Sequence, residues 1–180
     1  MEDLIFASKL VWMSEFFKYT GESIIKSPNI LIRRRDIIAI QDICVKSLGY
    51  RNINAVRDRY DGQRFMDNQI RKIGSLYALC DYFDLTKPVL SEVLIANTNP
   101  LIEIAGKKYQ ILTSDFGTLP SANNLTANYD VIVTCRRDDV YFLIIGVLPK
   151  TKINDESYFK TNAVGKTFIG FKSLQDLPSK

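Results

Sequence analysis

Apolar and polar residues alternate along 101–104 and 107–112, and the two stretches are separated by Ala105-Gly106. A two-residue break with glycine between alternating runs predicts a tight hairpin. In it Ile104 faces Lys107, Glu103 faces Lys108 and Leu101 faces Gln110. Successive strand side chains point to opposite faces, so Ile102, Ile104, Tyr109 and Ile111 share an apolar side. Glu103, Lys108 and Gln110 share the polar one. Residues 129–136 and 140–147 are nearly continuous β-branched and aromatic runs joined by Arg137-Asp138-Asp139. Such runs belong to strands buried on both faces.

A helical period governs 67–85, where Ile70, Ile73, Tyr77, Cys80 and Asp84 trace one face and Asp67 stands as N-cap. The same period recurs in 36–48 through Ile37, Ile40, Ile43, Cys44 and Leu48, with Gly49 as C-terminal cap. A second short helix restarts over 52–60. Helix-turn-helix geometry would place Arg51, Asn52, Arg57 and Arg59 on or near that second helix; ordinary packing of two helices accounts for the same pattern. Residues 2–19 form a helix rich in Leu4, Ile5, Leu10, Val11, Trp12, Phe16 and Phe17, either a core element or a homodimer contact. A linker follows over 20–29. Residues 113–128 form a long polar loop and 149–180 hold one more short strand.

Composition bounds the function. The 180 residues, 46% of them hydrophobic, suit one domain with a smaller appended part. The division expected is a helical, basic amino-terminal part over 1–66 and an α/β core over 67–180. There is no histidine, which removes Ser-His-Asp and Cys-His catalysis and histidine-based zinc sites. Cys44, Cys80 and Cys135 are single and set among apolar neighbours, as reduced buried thiols are. The chain opens on the acidic Met1-Glu2-Asp3, and no run reaches the length of a membrane span. The expectation is a soluble intracellular protein with no membrane partner, cytoplasmic or nuclear.

The net charge of +4 comes from one block, 33–72. It carries Arg33, Arg34, Arg35, Lys46, Arg51, Arg57, Arg59, Arg64, Arg71 and Lys72 against Asp36, Asp42, Asp58, Asp61 and Asp67. Arginine predominates, and its planar fork suits phosphate and base edges better than lysine's point charge. Clustered basic residues are the electrostatic footprint of nucleic-acid binding. A solvated, salt-bridged surface is the alternative.

The order helix, hairpin, connecting segment and buried strand pair over 67–150 resembles the restriction-endonuclease-like fold of the PD-(D/E)XK superfamily. The resemblance implies a mixed sheet flanked by helices. It also implies a metal-binding Asp and a (D/E)xK triplet on the hairpin, whose carboxylates hold a hard cation. Aligned on Tyr109, the triplet falls on Gln110-Ile111-Leu112, and the earlier Asp falls near Asn99 or Pro100. The acid has become an amide and the lysine a leucine, so the catalytic motif is degenerate. A more local resemblance links IQDICVKSLGYRN, 40–52, to the entry helix of BRO-N-type viral and phage DNA-binding domains.

The expected function is therefore nucleic-acid binding, to double-stranded DNA first, without catalysis or cofactor. Arg33, Arg34, Arg35, Arg51, Asn52, Arg57, Arg59, Arg64, Arg71 and Lys72 are the candidate contacts. One alternative is an active Mg²⁺-dependent endonuclease with a relocated site, in which Glu103 holds the metal, Lys108 and Gln110 assist, and Asp115 adds a ligand. An ordinary cross-strand Glu–Lys pair explains the same face. A third reading is a protein-interaction module served by the aromatic amino-terminal helix.

Overall fold

The computed structural model describes residues 13–57, 59–90 and 99–179. The amino-terminal part of the helix expected over 2–19 lies outside them. Residues 13–20 are helical (α1), followed by α2 (Ser23–Lys26), β1 (Asn29–Leu31), α3 (Arg34–Ser47), α4 (Ile53–Arg57) and α5 (Tyr60–Tyr82). Then come β2 (Leu101–Ile104), β3 (Lys107–Asp115), β4 (Asp130–Arg136), β5 (Tyr141–Leu148), β6 (Phe159–Asn162) and β7 (Gly165–Phe168). The class is mixed α/β. Five strands form one mixed sheet in the order β1-β5-β4-β3-β2, and β6 and β7 form a separate hairpin. Among the described residues, no helix is long and apolar enough to cross a membrane.

The β2–β3 hairpin has the register its alternation dictates, with Leu101 opposite Gln110, Glu103 opposite Lys108 and Ile104 opposite Lys107. Its turn puts Ala105 at φ 50° and Gly106 at φ 77°, both left-handed, as a type I′ turn requires. Strands β4 and β5 are antiparallel and nearly all buried. Strand β4 runs parallel to β3, which obliges 116–129 to cross over a sheet face. This crossover is the stretch whose composition reads as a polar loop. Its Ala122 and Pro120 are buried, the Ala122 N–H donates to the Lys166 carbonyl, and the Phe168 N–H donates to that of Pro120. The end of the chain thus supplies a two-stranded hairpin that pins the crossover, where one short strand was expected.

Helices α3 and α5 cover one sheet face in a core that joins Ile37, Ile40, Cys44, Ile73 and Leu79 to Ile111, Ile132 and Phe142. The other face is covered by the crossover and β6–β7 through Leu112, Val131, Phe159 and Phe168. There Phe16 and Ile24 also pack against Cys135 and Leu143. That contact explains why the expected linker over 20–29 holds helix α2 and the start of β1: Ile24 is buried there. The boundary drawn at 66/67 falls inside α5, and β1 pairs with β5 in the main sheet.

Helix α5 departs most from expectation. It starts at Tyr60, so Asp67 lies within it rather than capping it. Gly62 and Met66 are buried and continue the apolar face toward the amino terminus. Gly62 lets α5 pack on Val56 of α4, since a Cβ there would lie 2.9 Å from the Val56 side chain. Ile70, Ile73, Tyr77 and Cys80 are buried as their spacing requires. Asp84 lies beyond the helix at φ 55°.

Candidate functional site

Apolar and polar residues are mixed along α5, and one polar set shares a face. Arg64, Asn68, Arg71 and Ser75 recur at helical spacing and face the carboxyl ends of β3 and β4. Arg71 donates from Nη1 to Asp115 Oδ2 at 2.9 Å and from Nη2 to Asn68 Oδ1 at 2.8 Å. Arg136 of β4 donates from Nε to the other Asp115 oxygen at 2.5 Å, and its Nη1 lies 3.8 Å from Asp67. Asp115 is thus held between two guanidiniums. Deeper in, Thr134 Oγ1 lies 3.0 Å from Ser75 Oγ, which lies 2.8 Å from Thr113 Oγ1. Thr134 and Ser75 are fully buried.

Two adjoining clefts open along this stripe. The outer one, about 690 Å³, is lined by Tyr60, Arg64, Asp67, Asn68, Arg71 and Asp115 among others. The inner one, about 600 Å³, shares Arg64, Asn68 and Arg71 with it. Lys72, Asn99, Thr113 and Ser114 add to its wall, with Thr118, Ser121 and Asn124 of the crossover opposite. Among the described residues the inner cleft is lined by three cations and no carboxylate. Burial, then the neighbouring Arg71 charge, pushes the Lys72 ammonium pKa below its ordinary 10.5.

The basic residues of 33–72 are not one patch. Lys87 bridges Asp36 at the start of α3 and Asp81 in the last turn of α5, each at 2.8 Å, so the two helices run antiparallel. Arg33, Arg34 and Arg35 lie at the start of α3, all exposed, beside the carboxyl end of α5. Helix α5, 23 residues, is about 35 Å long, and Arg64 lies near its other end. Arg51 and Asn52 precede the five-residue α4, where the Asn52 side chain accepts the Ala55 N–H at 3.1 Å as a helix cap. Arg59 stacks on Tyr50 at 5.4 Å. The Arg57 side chain lies outside the described residues. A helix of five residues, about 7 Å long, carries little of a recognition surface. Arg64, exposed and lining both clefts, is on α5.

The hairpin residues separate as well. Glu103 and Lys108 are exposed cross-strand partners, but Gln110 is 5% exposed and occupied. Its Nε2 donates to the Asn124 carbonyl at 3.0 Å and its Oε1 accepts the Thr126 N–H at 3.1 Å. The amide is a latch on the crossover. Among the described residues, no group of three or more His, Cys, Asp or Glu side chains is placed to hold a metal ion. Arg136, Thr113 and Asn124 were not foreseen, because they come from elements distant in sequence from α5; Asn99 was named only as the place where the nuclease resemblance would put its earlier Asp. The α5 stripe was legible as polar positions at 64, 68, 71 and 75 that share one face at helical spacing.

Comparison with protein-family models, with curated proteins and with solved structures finds no match to this chain.

Proposed function

We propose that this protein binds nucleic acid, double-stranded DNA first, along the polar stripe of α5, and does not cut it. The observation that carries this reading is the inner cleft, where Arg64, Arg71 and Lys72 stand among asparagines and hydroxyls with no carboxylate among the described lining residues. Phosphate contacts from guanidinium, ammonium, amide and hydroxyl donors supply most non-specific affinity and fix register on the polymer. The adjoining outer cleft, which contains Arg64 as well as Asp67 and Asp115, lengthens the surface over several nucleotides. The sequence of α5, hairpin β2–β3 and buried pair β4–β5 supports a restriction-endonuclease-like ancestry. With Gln110 and Leu112 at the triplet, the binding surface outlived the metal site.

The test is fluorescence anisotropy with short duplex DNA, single-stranded DNA and RNA over a salt series. Arg64→Gln is expected to weaken binding and to reduce the slope of log K against log salt by about 0.9 if one duplex phosphate contact is lost. Incubation with Mg²⁺ or Mn²⁺ should leave the strands intact on a denaturing gel. Absence of salt-sensitive binding to all three polymers at low salt refutes the proposal. Cleavage abolished by Glu103→Ala would instead establish the relocated enzyme.

A further inference from the structure

We infer that the inner cleft is a phosphate pocket, holding one phosphate group of a nucleotide between Arg64, Lys72 and the Thr113 hydroxyl. This deepens the nucleic-acid reading and rests on it for the identity of the polymer, but its chemistry stands on separate observations.

The first is unmet donor capacity. Arg71 Nε and Asn99 Nδ2 are buried without an acceptor, and both residues line this cleft. Ser114 Oγ, on the same wall, has no hydrogen-bond partner beyond the weakly accepting Cys135 thiol beside it. Buried donors left unpaired are costly, and among the described residues three of the four with such an atom, Arg71, Asn99 and Ser114, line this cleft, while the fourth, Gln69, is buried on α5 away from it. Because they are donors, the ligand that satisfies them is an acceptor.

The second is charge. Burial and the neighbouring Arg71 disfavour the Lys72 ammonium, and an anion in the cleft would offset both effects. The third is the hydroxyl relay. Thr134 Oγ1 donates to Ser75 at 3.0 Å, the shorter of its two contacts, the Leu112 carbonyl lying at 3.4 Å, and Ser75 donates to Thr113 at 2.8 Å. Thr113 is then an acceptor toward the core, which leaves its own O–H as a donor toward the cleft. A volume of about 600 Å³ exceeds a bare phosphate and suits a nucleotide attached to it.

The experiment titrates the intact protein with inorganic phosphate, thymidine 5′-monophosphate, the dinucleotide TpT and thymidine, followed by calorimetry and amide chemical shifts. The three phosphate-bearing probes are expected to bind competitively, and thymidine should not bind detectably. Tighter binding of the monophosphate identifies a terminal phosphate as the natural ligand; tighter binding of TpT identifies a backbone phosphodiester. Arg64→Gln, at an exposed position, should weaken phosphate about tenfold through loss of a charge-assisted bond. Thr113→Val should weaken it as well and Thr113→Ser restore it, while Arg34→Gln at the far end of α5 changes nothing. No saturable phosphate binding, or binding indifferent to both Arg64→Gln and Thr113→Val, overturns the inference. Polymer binding without phosphate binding removes this pocket and leaves the groove; phosphate binding without polymer binding removes the groove and leaves the pocket.

Discussion

Gln110 has a structural task at a position where the nuclease resemblance would place a carboxylate. Its register opposite Leu101 was readable from the alternation around Tyr109. Its use was not, because both of its partners, the Asn124 carbonyl and the Thr126 amide, lie in a crossover whose path depends on the parallel β3–β4 pairing. A buried amide satisfied at both ends resists replacement. Gln110→Leu strands one carbonyl and one N–H and is expected to cost about 1–3 kcal/mol, with faster hydrogen exchange at Thr126. Gln110→Glu is the sharper test. It places an acid where the proposed nuclease resemblance would have one, but turns the donor toward Asn124 into a second acceptor. It should lower the melting temperature without creating Mg²⁺-dependent cleavage. Cleavage by that variant would show that the position still lies within a competent metal site.

At the scale of elements, helix α5 and strands β2 to β5 could be read from period and run length, whereas the pairings that assemble them could not. Local periodicity reports which face is buried and says nothing of the neighbour that buries it. Gly74 is the clearest case: inside a helix it reads as a weak point, but it lies against Phe142 of β5, where an added Cβ would come 2.4 Å from the ring. Phe142 is fully buried and has nowhere to retreat. Gly74→Ala gains helix propensity of about 1 kcal/mol yet should destabilise the protein by about 1–3 kcal/mol through overpacking. Adding Phe142→Leu should recover part of the loss, and chemical denaturation of the two single variants and the double variant measures the coupling.

The hairpin is tied to β4 and β5 by another contact that spacing does not reveal, since Asp130 pairs with Lys107 and accepts the Lys150 amide at 2.7 Å. Burial raises the Asp130 pKa, but the Lys107 hydrogen bond, the Lys150 amide and the two lysine charges together bring it below 3.8. A depressed carboxyl stabilises the fold above its unfolded value, and the contribution is lost as pH falls through the folded one. Asp130→Asn should therefore melt below the wild type at neutral pH, with the gap closing below pH 3.8 as Asp130 takes up its proton. A gap that persists unchanged into strong acid would assign the loss to the Lys150 amide contact alone.

Over the whole molecule, charge and composition suggest a basic helical part preceding an α/β core, and the packing ties the two together. Strand β1 completes the sheet beside β5, and the Ile32 amide donates to the Val140 carbonyl at 2.8 Å. Ile37, Ile40 and Cys44 share one core cluster with Ile73, Ile111 and Phe142. A cut between 66 and 67 would sever α5 within its buried stretch and expose that cluster, and a helix end released from packing is marginal in water. Chemical denaturation of the full chain, followed by near- and far-ultraviolet circular dichroism, is expected to give one coincident transition. A 67–180 fragment should lack that cooperative transition. Two separated transitions, or a cooperatively folding fragment, would mean that the amino-terminal residues dock on a core that stands without them. In that case the proposed nucleic-acid groove could be studied, and lost, independently of Arg33, Arg34 and Arg35.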